Sequence, residues 1–234
     1  MLAAVRRRSY QTHIHHEAVF RICCEKFDAA VAEIARQRQV LDEYVHTHEA
    51  FLTSFAPVEL RPGAPDIARR MARAAQLVGV GPMAAVAGTM AQLAAEAALR
   101  AGADEVIVDN GGDIYLRVAA PATIGLHTGT AGLGDRLAFA LAPDQTPVAI
   151  CSSSGTMGHS TSLGRCDLAT VVAADAALAD AAATLAANLV QEPGDVDAAL
   201  ERIAAIEGIQ GALIVKDDRV GLAGRLPQLV HAQR

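Results

Sequence analysis

Val106-Ile107-Val108-Asp109-Asn110-Gly111-Gly112-Asp113-Ile114-Tyr115-Leu116 is the stretch on which the fold turns. Val106, Ile107 and Val108 are β-branched and follow a helical run, so they read as a buried strand. Residues 109–113 then break the pattern, and Ile114, Tyr115 and Leu116 resume it. The break has two readings. It is an Asn-Gly hairpin turn, or it is a turn whose paired glycines leave the backbone bare enough for a ligand to touch.

The chain around it has 234 residues, a hydrophobic content of 52% and an aromatic content of 3% with no Trp. Its core must therefore be built from Ala, Val, Leu and Ile. Base stacking on aromatic rings is a poor fit to such a chain, and a net charge of −6 argues against a nucleic-acid backbone as partner. The basic run Arg6-Arg7-Arg8 is short and terminal, and reads as a solvated arm. Cys23, Cys24, Cys151 and Cys166 show no CxxC spacing, which argues against a zinc knuckle. Free, mostly buried thiols in a reducing cytoplasm are the expectation. No apolar run follows the arginines as in a signal peptide, and no uninterrupted apolar stretch reaches membrane length.

Moving outward, Ala18–Cys24 is a candidate strand. His13, His15 and His16 precede it. In a strand, residues 13 and 15 share a face and would put two imidazoles on one ion, but an exposed polar strand in a hairpin with 18–24 is the simpler reading. Asp28–Phe51 has helical spacing with Asp28 as a candidate N-cap. Residues 51–65 carry three prolines and read as a loop inside one domain. Asp66–Val78 is a second helix capped by Asp66. Met83–Ala101 is an Ala-rich third, in which Ala84, Gly88, Ala91 and Ala95 allow close backbone approach. The glycine turn Gly79-Val80-Gly81-Pro82 feeds its start, and free amides at a helix N-terminus suit a phosphate.

Beyond the glycine pair, Thr123–Thr128, Leu137–Leu141, Pro147–Cys151 and Leu168–Ala173 read as strands. Ser152-Ser153-Ser154-Gly155-Thr156 and the following residues to Ser162 form a run dense in hydroxyls and glycine, with one histidine, His159. Such a loop supplies short donors to a polar or phosphorylated ligand. A hydrolase arrangement of Ser154 or Ser160 with His159 lacks the GxSxG pattern. Ala176–Val190 is a helix in which Asp180 and Thr184 lie one turn apart. A carboxylate and a hydroxyl so placed suit a hard cation such as Mg²⁺, or Asp180 is a buried carboxylate bonded to Thr184 or to a helix N-terminus. Asp195–Glu207 is the last helix, and Gly211–Val215 with Arg219–Gly224 closes as a hairpin. The whole is expected to be an α+β layered domain spanning residues 1–234, with 1–16 as a loose N-terminal arm.

Five motifs occur in a telling order: GVGPMAAVAG (79–88), VIVDNGGDIYL (106–116), CSSSGTMGHS (151–160), ALADAAAT (177–184) and IEGIQGALIVKDDRVGLAG (206–224). In combination they resemble the UPF0280 family, within the ApbE-like superfamily named after the FAD:protein FMN transferases. The resemblance runs from about Tyr10 onward. It implies an ApbE-like mixed α/β layered fold, FAD or FMN as cofactor, and Mg²⁺ for moving FMN onto a hydroxyl of a partner protein. By motif, Gly111 and Gly112, with Asp113 next, match the glycine pair that contacts the flavin nucleotide. Asp180 and Thr184 match the metal ligands, and Gly88 matches a glycine whose stretch serves the metal. Ala87 stands where those transferases carry a lysine. Their His-Ile-Ile-Asp-Pro motif is replaced by Gly158-His159-Ser160-Thr161-Ser162, so His159 remains as candidate acid or base while the Asp and Pro are absent.

The sequence thus leads to a cytoplasmic protein, a homodimer by the resemblance, with a cleft for a phosphorylated or ring-containing small molecule. Gly88, Gly111, Gly112, Asp113, Ser152, Ser153, Ser154 and Thr156 would bind it, with Mg²⁺ on Asp180 and Thr184. No nucleic acid and no membrane are expected as partners. The altered loop at 158–162 leaves two further readings: a cofactor-biosynthesis enzyme with a pterin-like ligand, and a non-catalytic assembly protein.

Overall fold

The computed structural model describes residues 8–127, 137–155 and 164–231. Eleven strands and six α-helices are assigned among them. The strands are β1 (Gln11–His15), β2 (Ala18–Cys24), β3 (Val106–Asn110), β4 (Asp113–Arg117), β5 (Ala122–Gly125), β6 (Leu137–Leu141), β7 (Val148–Ser153), β8 (Leu168–Ala173), β9 (Ile209–Lys216), β10 (Arg219–Gly224) and β11 (Gln228–His231). The helices are α1 (Phe27–Thr47), α2 (Glu49–Thr53), α3 (Asp66–Val78), α4 (Val86–Arg100), α5 (Ala176–Leu189) and α6 (Val196–Ala204).

Eight strands form one sheet in the order β1-β2-β3-β4-β7-β8-β9-β10, and β11-β6-β5 form a second. Neighbours run antiparallel throughout. Strand alternation sorts the large sheet's side chains onto two faces. Val106, Val108, Tyr115, Ala149, Cys151 and Val171 pack with the helices. Ile107, Leu116, Ile150, Leu168 and Val172 pack instead with Ile124, Phe139 and Leu141 of the small sheet. The molecule is therefore three layers, helices on sheet on sheet, with two cores. The α+β layered architecture expected from sequence is what the chain adopts.

The helical layer is tight because it is built from alanine. In α5, Ala181, Ala182, Ala183, Ala186 and Ala187 are all buried. A Cβ placed on Gly88 of α4 would lie 2.4 Å from the Ala176 carbonyl oxygen and 2.9 Å from Asp180 Cβ. The close approach anticipated for the Ala-rich helix is thus real, and it is centred on this glycine.

Several boundaries differ from expectation. The helix expected over 28–51 breaks at His48, whose Nδ1 lies 3.1 Å from Tyr44 Oη. Asp28 lies inside α1, whose N-cap is Lys26. Asp66 is the first residue of α3, not its cap, and accepts from Arg70 Nε at 2.9 Å. The start of the Ala-rich helix is a 3-10 turn over Pro82–Ala85. Gln11–His15, within the span expected as a loose arm, pairs in register with β2, which is the hairpin that the histidine segment allowed. Arg8, read as part of a solvated run, sits half-buried and makes two bonds of 2.8 Å to the Glu105 carboxylate. The four cysteines are free, as expected. Among the described residues no single helix is long and apolar enough to cross a membrane, although α3 and the segment Pro82–Arg100 meet that test as a bent pair.

Candidate functional site

The 106–116 stretch folds as the hairpin β3–β4. Asn110 pairs with Asp113, and Gly111 and Gly112 alone form the turn with φ of 69° and 106°. Positive φ at both central positions is the requirement of a tight right-twisted hairpin, and glycine meets it without strain. The Gly112 N–H donates to Asp109 Oδ1 at 3.0 Å, so that amide is already engaged. The hairpin reading is correct, and the turn also has a cavity against it.

That cavity has a volume of about 710 Å³, within the roughly 300–1,000 Å³ usual for small-molecule sites. It wraps over the end of the large sheet. On the helix side it is lined by Ala87, Asp113, Asp180 and Thr184; on the other by Ile124, His127, Ile150 and Ser152. Gly111, Gly112, Ser153 and Ser154 also line it. Eight of the residues singled out from sequence for ligand or metal thus converge on one space: Gly111, Gly112, Asp113, Ser152, Ser153, Ser154, Asp180 and Thr184. Gly88 stands just behind the wall, and its N–H donates to Asp180 Oδ2 at 2.8 Å. Thr156 and His159 lie outside the described residues.

Two expectations change here. The amides at the start of α4 were expected to face a phosphate. Instead the Gly88 and Ala87 N–H groups bond to the Asp180 carboxylate, so the helix N-terminus holds an acidic side chain of the protein itself. The serine hydroxyls are also partly committed: Ser152 Oγ lies 2.9 Å from Thr170 Oγ1, and Ser154 Oγ donates to the Cys166 carbonyl at 3.3 Å.

The floor of the cavity is acidic. Asp180 is buried, and burial pushes its carboxyl up to about 7 despite the two N–H bonds that favour the ionised form. Asp113 is buried beside it. Burial first, and the charge of Asp180 second, hold its carboxyl well above the usual range. The Cys151 thiol and the Ser152 N–H meet Asp113 from the sheet, yet its Oδ1 has no hydrogen-bond partner among the described residues. Burial, with the charge of Asp113 next, likewise pushes the Cys151 thiol up. The donor set of Asp180 and Thr184, one helical turn apart and open to the same space, is hard oxygen throughout and suits Mg²⁺. His13 and His15 do share a strand face, with ring centroids 6.0 Å apart. No group of three or more His, Cys, Asp or Glu among the described residues is placed to hold a metal.

Some lining residues escaped the sequence reading. Arg21 and Asp109 flank the glycine turn, and Arg21 stacks over the Tyr10 ring at 5.3 Å. The signal for Arg21 was present: in AVFRICC, Phe20 and Ile22 pack on the helix side, so Arg21 between them faces the other way. Asn110 Nδ2, 3.1 Å from the Ala87 carbonyl oxygen, ties the hairpin to the start of α4.

The family model described as AbpE bacteria matches residues 7–221. A UPF0280 protein of Archaeoglobus fulgidus is 41% identical over 215 residues, covering 89% of this chain and 88% of its own length. One from Methanothermobacter thermautotrophicus is 42% identical over 202 residues, covering 85% and 78%. Among solved structures, the Pseudomonas stutzeri flavinyl transferase ApbE in its apo form superposes with a TM-score of 0.60 at 11% identity, covering 93% of this chain and 94% of that one. The flavin transferase ApbE from Vibrio cholerae gives 0.52 at 14% identity, covering 93% and 96%. At such identities the likeness is one of fold.

Proposed function

Because the chain belongs to the AbpE bacteria family and to the UPF0280 proteins, whose fold is that of the ApbE flavin transferases, we propose that its cavity binds a flavin nucleotide together with Mg²⁺. The observation that carries this reading is the convergence of Asp180, Thr184 and the Gly111–Gly112 turn on one 710 Å³ space. Asp180 and Thr184 would hold the cation. Bound there, Mg²⁺ would neutralise phosphate charge and polarise a phosphoryl oxygen.

The chain's own groups then divide the work. The first turn of α4 fixes the Asp180 carboxylate through Gly88 and Ala87, so the cation ligand is oriented before anything binds. The bare Gly111–Gly112 turn lets a ligand approach the backbone closely, since a Cβ at Gly111 would meet nothing within 4 Å. Arg21 and His127 at the other side of the cavity suit an anionic or ring-bearing portion of the same molecule. Transfer of a phosphorylated group is the activity this arrangement favours, with His159 as the proposed acid or base and Thr156 as a further hydroxyl toward the ligand.

The test is a calorimetric titration of FAD, FMN, ATP and a pterin into the full chain, each with and without Mg²⁺. FAD or FMN is expected to bind most tightly and only with Mg²⁺. Preference for the pterin would move the assignment to a non-flavin cofactor, and absence of binding by all four would overturn the cleft reading.

A further inference from the structure

We propose that Asp113 is a direct ligand of the divalent cation, facing Asp180 across the cavity floor, so that the ion is clasped between strand β4 and helix α5. The inference rests on the reading of Asp180 and Thr184 as a cation site, and it moves Asp113 from the flavin-contacting role that its neighbourhood to the glycine pair suggested.

Strand geometry supplies the direction. Side chains alternate along β4, so Asp113 shares its face with Tyr115, which packs in the helix-side core, while Leu116 packs in the core between the sheets. Asp113 therefore points toward the helices, and its partner across the ladder, Asn110, reaches the start of α4. Asp113 is 8% exposed and lines the same cavity as Asp180 and Thr184. Its Oδ1 has no hydrogen-bond partner among the described residues. Leaving a buried carboxylate oxygen unpaired is expensive. The Cys151 thiol and the Ser152 N–H meet this carboxylate from the sheet, but no side chain among the described residues bonds its Oδ1.

Charge points the same way. Two carboxylates on one floor repel each other. Arg21, the one Lys or Arg among the described residues that lines the cavity, lies on the opposite sheet face, between the helix-facing Phe20 and Ile22. A divalent cation between β4 and α5 would turn the repulsion into two attractive contacts and fill the vacant acceptor. With Thr184 this makes an all-oxygen set from two elements that α4 ties together, since Gly88 N–H bonds Asp180 and the Ala87 carbonyl oxygen accepts from Asn110 of the hairpin.

The experiment uses the full chain and Mn²⁺ alone, without nucleotide. Free Mn²⁺ is followed by electron paramagnetic resonance during titration of wild type, Asp113→Asn and Asp180→Asn. Melting in EDTA and in Mn²⁺ provides a second readout. Wild type should bind Mn²⁺ at a single site, and Asp180→Asn should lose it. Asp113→Asn should weaken it by at least about 10-fold, since even outer partners of metal ligands alter affinity by roughly 10–100-fold. In EDTA, Asp113→Asn should melt no lower than wild type, because it replaces a buried carboxyl whose ionised form burial and Asp180 already disfavour, and it should lose most of the Mn²⁺-induced rise. If Asp113→Asn melts lower in EDTA yet keeps the wild-type Mn²⁺ affinity and rise, Asp113 is a structural partner of Cys151 and Ser152 and the proposal is overturned, while the Asp180 site stands. If wild type binds no Mn²⁺, this proposal and the cation part of the function fall together.

Discussion

The backbone N–H of Gly88 donates to Oδ2 of Asp180 at 2.8 Å. This bond joins the first turn of α4 to α5 and depends on the absence of a side chain at residue 88. A Cβ there would lie 2.4 Å from the Ala176 carbonyl oxygen and 2.9 Å from Asp180 Cβ, distances that backbone atoms do not accommodate without moving. Packing and site geometry are therefore the same constraint at this point. Gly88→Ala should lower stability by about 1–3 kcal/mol, as overpacking does, and weaken Mg²⁺ binding as well. Urea unfolding and Mg²⁺ titration of the variant check both halves, and a variant with wild-type stability would show that the helices can separate freely.

The acidic floor makes stability depend on pH. In the folded chain the Asp180 carboxyl titrates at about 7, whereas an unperturbed Asp titrates near pH 3.9. Between these values the folded state binds a proton that the unfolded state has released, so this group's contribution is full below the lower value and is lost as pH rises through the upper one. Cation-free wild type should therefore lose stability relative to Asp180→Asn between pH 5 and pH 8. Urea unfolding of both proteins in EDTA across that range measures the difference. A constant difference would mean that Asp180 is ionised in both states throughout.

At the hairpin, Gly111 has φ of 69° and open space where a Cβ would go. The strain of Gly111→Ala is then in the backbone alone, about 1–2 kcal/mol for a left-handed residue. Gly111→Asn should be milder, because Asn tolerates that region. Unfolding in urea gives the order wild type, Asn, Ala. If Gly111→Asn is as unstable as Gly111→Ala, the turn tolerates no side chain for a reason other than φ.

Arg8 ties the start of the described chain to the β4–β5 connection. It bonds both Glu105 oxygens at 2.8 Å and the carbonyls of Ala120 and Pro121 at 2.7 and 2.9 Å. The pair is largely shielded, with side-chain exposures of 16% and 11%. Charge-assisted bonds of this kind support roughly 1–3 kcal/mol. Arg8→Ala should show a loss of that size in urea unfolding, and no change would return the residue to the solvated run it resembles in sequence.

How much could be read from the residues alone depended on how local the signal was. Val106–Leu116 announced itself through β-branching and a glycine pair, and it folds as read. The spacing of Asp180 and Thr184 on one helix is likewise a local fact. Of the small sheet, β5 and β6 were legible as strand runs, but β11 left no trace, because it has four residues and pairs with β6 over a long separation. Asp113 could be noticed but not understood. Its burial, its vacant oxygen and its proximity to Asp180 all arise from folding β4 against α5, which no spacing in sequence encodes. Arg8 was misread for the same reason, since Glu105 lies 97 residues away.

The central claim is that a cation on Asp180 links the protein to the ligand's phosphate. It is tested most directly by measuring FAD affinity as a function of Mg²⁺ concentration in wild type and Asp180→Ala. Wild-type affinity should rise steeply with Mg²⁺ and then saturate, while the variant should bind weakly and show no such rise. Equal Mg²⁺ dependence in the two proteins, or tight FAD binding without Mg²⁺ in wild type, would contradict it.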